Sequence, residues 1–350
     1  MIDGTLSSSD FTARWSEILE GSTLEVRPRR DLVVAVGMVM SSIERHLLFD
    51  GELEGASWMR VPFAEALILD LTPSGDPPRE VIASYVRGPD FIGGAAEWRF
   101  KAQVTEISSR YRDILEAVAP LTEPAAWSQP EAADRLRSAR IWMETVRFMF
   151  LEQVRAIEAE RHEFRDLLRG FFRGHRIGGV PYEGVNAAHE PGAMALDLVF
   201  GIADDHYRSY VDPLRRHLLA EDRAWFDQRA AGGSLLGTLG EVVGRPIQNE
   251  AVALRVFQIA QPWIRDRAAD FARLIIAHSA ASAAHMAVIR SVLQKDPSTT
   301  KTVTPPSLGT GGRPHEHTRG LLLTRQAAAK HLKVLLGPED RGIREGGEAG

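Results

Sequence analysis

The sequence predicts an all-α protein built as a large helical bundle. Two observations carry this: long stretches lacking Gly and Pro whose apolar residues recur at helical spacing, and strand signals that are weak throughout. Arg135 to Arg169 contains neither Gly nor Pro. Its apolar positions Val146, Met149, Phe150, Val154, Ile157, Phe164 and Leu168 form one stripe, and Glu152, Arg155, Glu158 and Arg165 fill the other face. Gly170 and Gly174 end it. A second helical stretch runs from about 249 to 294, with Pro246 and Asn249 as start signals. Pro262 is its only interior breaker and should kink or split it, and Asp296-Pro297 ends it. Shorter helical patterns cover 11–20, 32–48, 62–71, 131–134 (leading into the long helix), 192–201, 204–218 and 319–336, and 81–87 is the best short strand. Irregular segments fall at 72–81, 174–192 and 295–319. A loop of the last one's length in a compact domain is functional or disordered. Residues 1–336 read as a single mainly α domain and 337–350 as a disordered tail.

Composition narrows the chemistry. The 350 residues are 44% hydrophobic and 25% charged, an ordinary globular balance with enough chain for a large core. With 42 Lys plus Arg against 47 Asp plus Glu, the formal net charge is −5, which argues against nucleic acid as the main partner. The chain has no cysteine, so disulfides, thiolate metal sites, iron–sulfur clusters and a thiol nucleophile are excluded. The opening residues lack a secretory pattern, and the longest apolar run, Leu32 to Met40, is too short to span a bilayer. The expectation is a cytoplasmic protein with no membrane partner.

Chemistry concentrates in the helix before the third irregular segment. Phe271, Ile275, His278, Ser282, His285, Ile289 and Val292 form an inner stripe. The two histidines stand about 10 Å apart along the axis at about 1.5 Å per residue, too far to ligate one ion. Small side chains surround His285 in sequence: Ala280, Ala281, Ser282, Ala283, Ala284 and Ala287. Such a surface admits a second helix or a flat ring. A histidine on an apolar helix face is by base rate a hydrogen-bonded core residue. Leu308-Gly309-Thr310-Gly311-Gly312 lies downstream. It has neither the Lys-Ser/Thr of a P-loop nor a preceding strand, yet such a turn can bring backbone N–H groups and a hydroxyl to a small anion. Asp204-Asp205-His206 resembles a metal triad but reads better as a helix N-cap, and His315-Glu316-His317 falls in or just after the irregular segment.

Taken together, His285-Met286-Ala287-Val288-Ile289-Arg290 followed by Gly-Thr-Gly-Gly resembles the tryptophan 2,3-dioxygenase and indoleamine dioxygenase superfamily, nearest the branch containing monodechloroaminopyrrolnitrin synthase. Pro77-Pro78-Arg79-Glu80, Ser138-Ala139-Arg140-Ile141, and Ile177-Gly178-Gly179 with Tyr182, Gly184 and Pro191 are also similar to that branch, in the same order over residues 60 to 336.

The resemblance implies a helical bundle enclosing a b-type haem, with His285 as axial ligand to the iron. It implies that Gly178, Gly179 and His189 line the haem pocket. Arg140 would neutralise a propionate or the substrate carboxylate, a task suited to its planar fork. Gly309, Thr310, Gly311, Gly312 and Arg313 would contact the amino-acid end of the substrate, and Ser84 and Tyr85 would stand on the catalytic, distal side. Trp142, Phe148, Tyr182 and Trp263 are candidates for an aromatic wall, though aromatics at helical spacing usually belong to the core. The sequence departs from the branch at Val81 to Pro89, where a distal histidine is expected and Ser84 falls at about that place. A serine can donate a hydrogen bond but is no base near neutral pH.

The implied function is oxygenation of an aromatic amino acid, tryptophan or a derivative, with O₂ in specialised biosynthesis. The partners are then small-molecule substrate and O₂, with a homodimer as an allowed assembly. The alternatives are a haem monooxygenase or rearrangement enzyme acting on tyrosine or an indole, and a non-catalytic helical binding protein without haem.

Overall fold

The computed structural model describes residues 94–159, 190–215, 218, 220–247, 250–293 and 315–336, and the backbone of 175–177 and 180–182. The fold is all-α. Its helices are α1 (Ala95–Val118), α2 (Pro124–Trp127), α3 (Glu131–Ala159), α4 (Pro191–Phe200), α5 (Asp205–Arg215), α6 (Ala220–Ala230), α7 (Leu235–Val242), α8 (Glu250–Ile259), α9 (Pro262–Leu293) and α10 (His315–Leu332). Two three-residue strands, β1 (His175–Ile177) and β2 (Val180–Tyr182), pair antiparallel with His175 opposite Tyr182 and Ile177 opposite Val180. The expected helices at 11–20, 32–48 and 62–71, the strand at 81–87 and the tail from 337 lie outside the described residues.

The centre is α9. Its most extensive packing is along α3, and α10 covers it from another side, while α1 lies on α3. The inner stripe is buried as expected at Phe271, Ile275, His278, Ser282 and Ile289, but burial extends further, to Ala268, Ala272, Leu274, Ala277, Ala281, Ala284 and Val288. A helix held between two neighbours needs two apolar faces, and small alanines let both approach closely. By length and composition α9 is also apolar enough over Pro262–Arg290 to cross a membrane, but 61% of its apolar window is buried against the protein.

Proline and glycine set several boundaries. Pro262 splits the second helical stretch cleanly: α8 ends at Ile259 and Pro262 opens α9, where its missing N–H costs no helical bond. Asp204 caps α5, its Oδ1 accepting from the Tyr207 N–H at 2.7 Å, which bears out the N-cap reading over a metal triad. The segment 174–192, expected to be irregular, contains the two strands and the start of α4, and α10 begins at His315 inside the expected 295–319 loop.

Four helices were not read from sequence: α1, α2, α6 and α7. In α7 the reason is Gly237 and Gly240. A Cβ at Gly240 would lie 3.1 Å from the Arg245 carbonyl, so that glycine is present to let the chain close back over the helix. Ser234 caps it, accepting from Gly237 N. In α1, Val104, Ile107, Ile114, Leu115 and Val118 are buried, but charged residues dilute the stripe. Arg229 of α6 pairs with Glu116 of α1.

One end of the core rests on Trp127. It is fully buried, donates Nε1–H to the Leu121 carbonyl at 2.6 Å, and packs edge-on against Phe271 of α9 with centroids 6.2 Å apart. Trp127→Ala should cost about 3–5 kcal/mol, because the site cannot collapse around the lost ring. Equilibrium urea unfolding checks this, and a loss below about 1 kcal/mol would show that α2 is not part of the cooperative core.

Candidate functional site

The described polar centre of the protein is a cluster on α4, α9 and α10. It starts from a lone carboxylate in an otherwise apolar helix, PGAMALDLVF. Both ends of α4 are fixed. Glu190 caps the start, with Oε2 accepting from Ala193 N at 2.6 Å, and Pro191 occupies the first turn. Gly201 ends it in the left-handed region, φ +80°, and the Asp197 carbonyl accepts from the N–H groups of Gly201, Ile202 and Ala203. A side chain at Gly201 would meet Ser234 Oγ at 2.6 Å as well as being strained. The helix therefore cannot slide, and Asp197 is delivered into the core.

There its side chain is 4% exposed and fully engaged. Arg325 of α10 donates Nε–H to Oδ1 and Oδ2 at 3.1 and 2.9 Å, and an Nη2–H to Oδ2 at 2.7 Å. His278 of α9 meets Oδ1 through Nε2 at 2.6 Å. The second arm of Arg325 donates to Ser282 Oγ at 2.8 Å, and that hydroxyl donates to the His278 carbonyl at 2.9 Å. Burial alone would push the Asp197 carboxyl up, but Arg325 and His278 outweigh it and hold it at about 2. His278 is pushed down, first by burial and then by the Arg325 charge, against the pull of Asp197. The His278–Asp197 contact is therefore a neutral imidazole donating Nε2–H to a carboxylate rather than an ion pair. The tautomer follows from the bonding network, and it leaves Nδ1 as a buried acceptor with no hydrogen-bond partner. The cluster is electrically neutral: one carboxylate, one guanidinium, one uncharged ring. Tyr207 closes one side by donating to the Met194 carbonyl at 2.6 Å.

His285 lies two turns beyond His278 on α9. Its ring stacks on Phe150 of α3, with centroids 4.8 Å apart and planes 26° from parallel. Burial, and then the Arg325 charge, lower it to about 4, so the imidazole is neutral at neutral pH. Among the described residues no hydrogen bond reaches either ring nitrogen. The two histidines have opposite fates. His278 is engaged by Asp197 through Nε2, while His285 is an uncharged ring with no hydrogen-bond partner among the described residues. That is the donor chemistry an axial ligand needs. At 100° per residue, Ala281 and Ser282 flank His285, whereas Ala280, Ala283 and Ala287 fall on the opposite side of the helix and are less buried. The flat small-residue surface beside His285 is thus narrower than the composition of the stretch implies.

Arg140 pairs with Glu144 one turn on at 2.7 Å and stands ten residues before Phe150, about 15 Å along α3. Phe148 is 61% exposed, and Trp263 donates to Gln261 at 2.7 Å, so neither forms a wall near His285. Trp142 is partly buried against the core, and Tyr182 is in β2. Ser84, Tyr85, Gly178, Gly179, His189, Gly309, Thr310, Gly311, Gly312 and Arg313 lie outside the described residues. Gly178 and Gly179 fall between the two paired strands. A cavity of about 290 Å³ lies on the far side of α10, lined by Ile202, Leu236, Thr324 and His331 among others, and contains none of the expected site residues. The residues that sequence reasoning missed are Asp197 and Arg325. Their signal was present as a single acid inside an apolar helix, which must find a buried cation.

No protein-family model matches the chain, and no curated protein matches it.

Two measurements test these electrostatics. Removing one partner of the central pair, by Asp197→Ala or Arg325→Met, should cost about 3–5 kcal/mol because it strands a buried charge. The double variant Asp197→Leu/Arg325→Met should cost less than the sum of the single losses, and strict additivity in urea unfolding would show that the two are not coupled.

Glu190 supplies a pH signature. It is raised from 4.5 to about 7 by burial, against the Ala193 and Gly192 N–H groups and Arg112, whose Nε lies 3.7 Å from Oε1. The unfolded chain ionises this carboxyl first. Stability is therefore present in full below about 4.5 and is lost as pH rises through about 7. The loss is about 3 kcal/mol at about 1.4 kcal/mol per unit. Glu190→Gln should flatten that part of the stability–pH curve while keeping the cap, and an unchanged slope would show that Glu190 is ionised in the fold.

Proposed function

We propose that the chain is a b-type haem oxygenase acting on an aromatic amino acid, with His285 as the axial ligand. The observation that carries this reading is the state of His285: a neutral imidazole on the central helix, with no hydrogen-bond partner among the described residues and its ring stacked on Phe150. His278, on the same stripe, shows what a histidine recruited for structure looks like here, and His285 lacks that partner. The sequence pattern of His285-Met286 followed by Gly309 to Gly312 supports the same assignment.

The residues fit the group in donor chemistry. Haem held through a neutral imidazole supplies O₂-dependent oxidation. The chain's own part is to hold and orient. Phe150 fixes the plane of the His285 ring. Arg325 fastens α10 to α9 and α4, so the helix entered directly after the Gly-Thr-Gly-Gly segment is anchored next to the His285 helix. Substrate contacts by Thr310 and Arg313 and a distal role for Ser84 and Tyr85 belong to this proposal. The reading favours dioxygenation of an indole over chemistry that needs a distal base, because Ser84 is a hydrogen-bond donor and not a base near neutral pH.

The test is an absorption spectrum of the chain expressed with haem precursor, before and after dithionite and carbon monoxide. A Soret band that shifts with carbon monoxide is expected, with tryptophan then consumed in the presence of O₂ and reductant. His285→Ala should lose the band, while Phe150→Leu should retain it with weakened haem affinity. A folded wild-type protein that stays colourless after incubation with hemin would overturn the reading and leave a helical binding protein.

A further inference from the structure

The Asp197–Arg325 pair is not symmetric about His285. Along α9 the order is His278, Ser282, His285, at about 1.5 Å rise per residue. Asp197 is bonded at the His278 end, about 10 Å of axial rise from His285. Arg325 extends an Nη1–H to Ser282, one turn and about 4.5 Å of rise before it. The pair is therefore a dipole laid along the helix with its positive end toward His285. Its members are buried: the Arg325 side chain is 15% exposed and that of Asp197 4%. Charges so placed are poorly screened, and their fields persist at physiological salt.

The orientation is fixed by bonding. Nε and Nη2 are used on the carboxylate and Nη1 on the hydroxyl, so the guanidinium cannot turn without giving up a buried hydrogen bond. The Ser282 hydroxyl is oriented in turn by donating to the His278 carbonyl, which leaves its lone pairs facing Arg325. The polar groups around this part of α9 include Arg325 and Ser282, Asp197 with His278, and the buried Tyr207 and Tyr111, both close enough to Arg325 to feel its charge, while Phe150 offers His285 an apolar ring face.

We propose that Arg325 is a fixed cation that sets the redox poise of the His285 site: its charge, held by Asp197 and Ser282, raises the reduction potential of an iron ligated by that imidazole. The inference rests on the haem reading above and names Arg325 as a positioning and tuning residue, not a ligand. The couple is the one-electron ferric/ferrous pair. A positive charge nearby disfavours the more positive ferric state and so favours the reduced form.

The experiment is an optical potentiometric titration of the full chain reconstituted with hemin, with dithionite as electron donor through mediators. Arg325→Gln removes the cation and exposes the site to Asp197. At the wild-type midpoint its ferrous-to-ferric ratio should fall about tenfold, a downward shift of about 59 mV for a one-electron couple. Asp197→Asn keeps the cation and removes its counter-charge, so its midpoint should move upward. Arg325→Lys keeps the charge and should stay near wild type. The opposite signs separate electrostatics from loosened packing, which would move both cluster variants the same way.

If Arg325→Gln does not fold, the upward shift of Asp197→Asn against an unmoved Arg325→Lys decides. Shifts in one common direction, or none, would overturn the inference while haem binding stands. Failure of the wild type to take up hemin would overturn the functional reading itself, and this inference with it.

Discussion

A carboxylate cannot be buried alone, and much of the described structure follows from how Asp197 is compensated. Desolvating it costs several kcal/mol unless opposite charge and hydrogen bonds surround it. The compensation comes from two other helices: Arg325 on α10 and His278 on α9. One acid thereby fixes the relative register of three helices. Apolar packing between α4, α9 and α10 would tolerate several slides of one helix past another, since alanine and leucine surfaces are nearly equivalent from turn to turn. The bidentate fork tolerates none, because a displacement of a few ångströms strands a charge in the core. The pair's contribution is thus greater to uniqueness than to stability, consistent with its placement where α4 is already pinned at both ends by Glu190 and Gly201.

The same constraint explains why two histidines seven residues apart on one stripe behave differently. His278 is drawn into the charge network and gives up its donor to it. His285 lies past the end of that network, where Phe150 offers a ring face and no polar atom. The Arg325 charge, placed between them by Ser282, makes protonation unfavourable at both positions. Keeping both rings neutral avoids accumulating like charge around a buried guanidinium. Among the described residues neutrality leaves an unbonded ring nitrogen at both positions, but at His278 the other nitrogen is engaged by Asp197, whereas the His285 ring is bonded to no described group.

How much of this was legible in the sequence depends on the range of each interaction. The start of α3, both ends of α4 and the break between α8 and α9 were readable because local rules set them: Pro at a first helical position, Gly at a C-terminus, apolar residues at helical spacing. The Asp204 cap was readable for the same reason. Helix α7 was not, because Gly237 and Gly240 lower helix propensity locally and their reason is a close approach by Arg245 and Pro246 that only the tertiary fold creates. The polar cluster was half legible. His278, Ser282 and His285 could be placed on one face of a helix, but Arg325 is 128 residues from Asp197, and no periodicity links them. Arg140 illustrates the local kind of contact, an ion pair with Glu144 one turn along the same helix.

The small residues of α9 have two explanations, divided by face. Ala277, Ala281 and Ala284 are buried and are explained by helix packing: α9 is held between α3 and α10, and a methyl group is what close approach on both sides permits. Ala280, Ala283 and Ala287 lie on the opposite face, where burial is incomplete and neighbouring helices do not demand a small side chain. An argument for a flat ligand drawn from the whole run Ala280 to Ala287 therefore counts the packing of Ala281 and Ala284 as evidence for binding. Beside His285 the case rests on the ring of Phe150, which stacks on the imidazole and sets its plane. Ser282 belongs to both the packing and the charge network, because its hydroxyl ties Arg325 to the α9 backbone. Through that hydroxyl α10 is coupled to the part of α9 that carries both histidines.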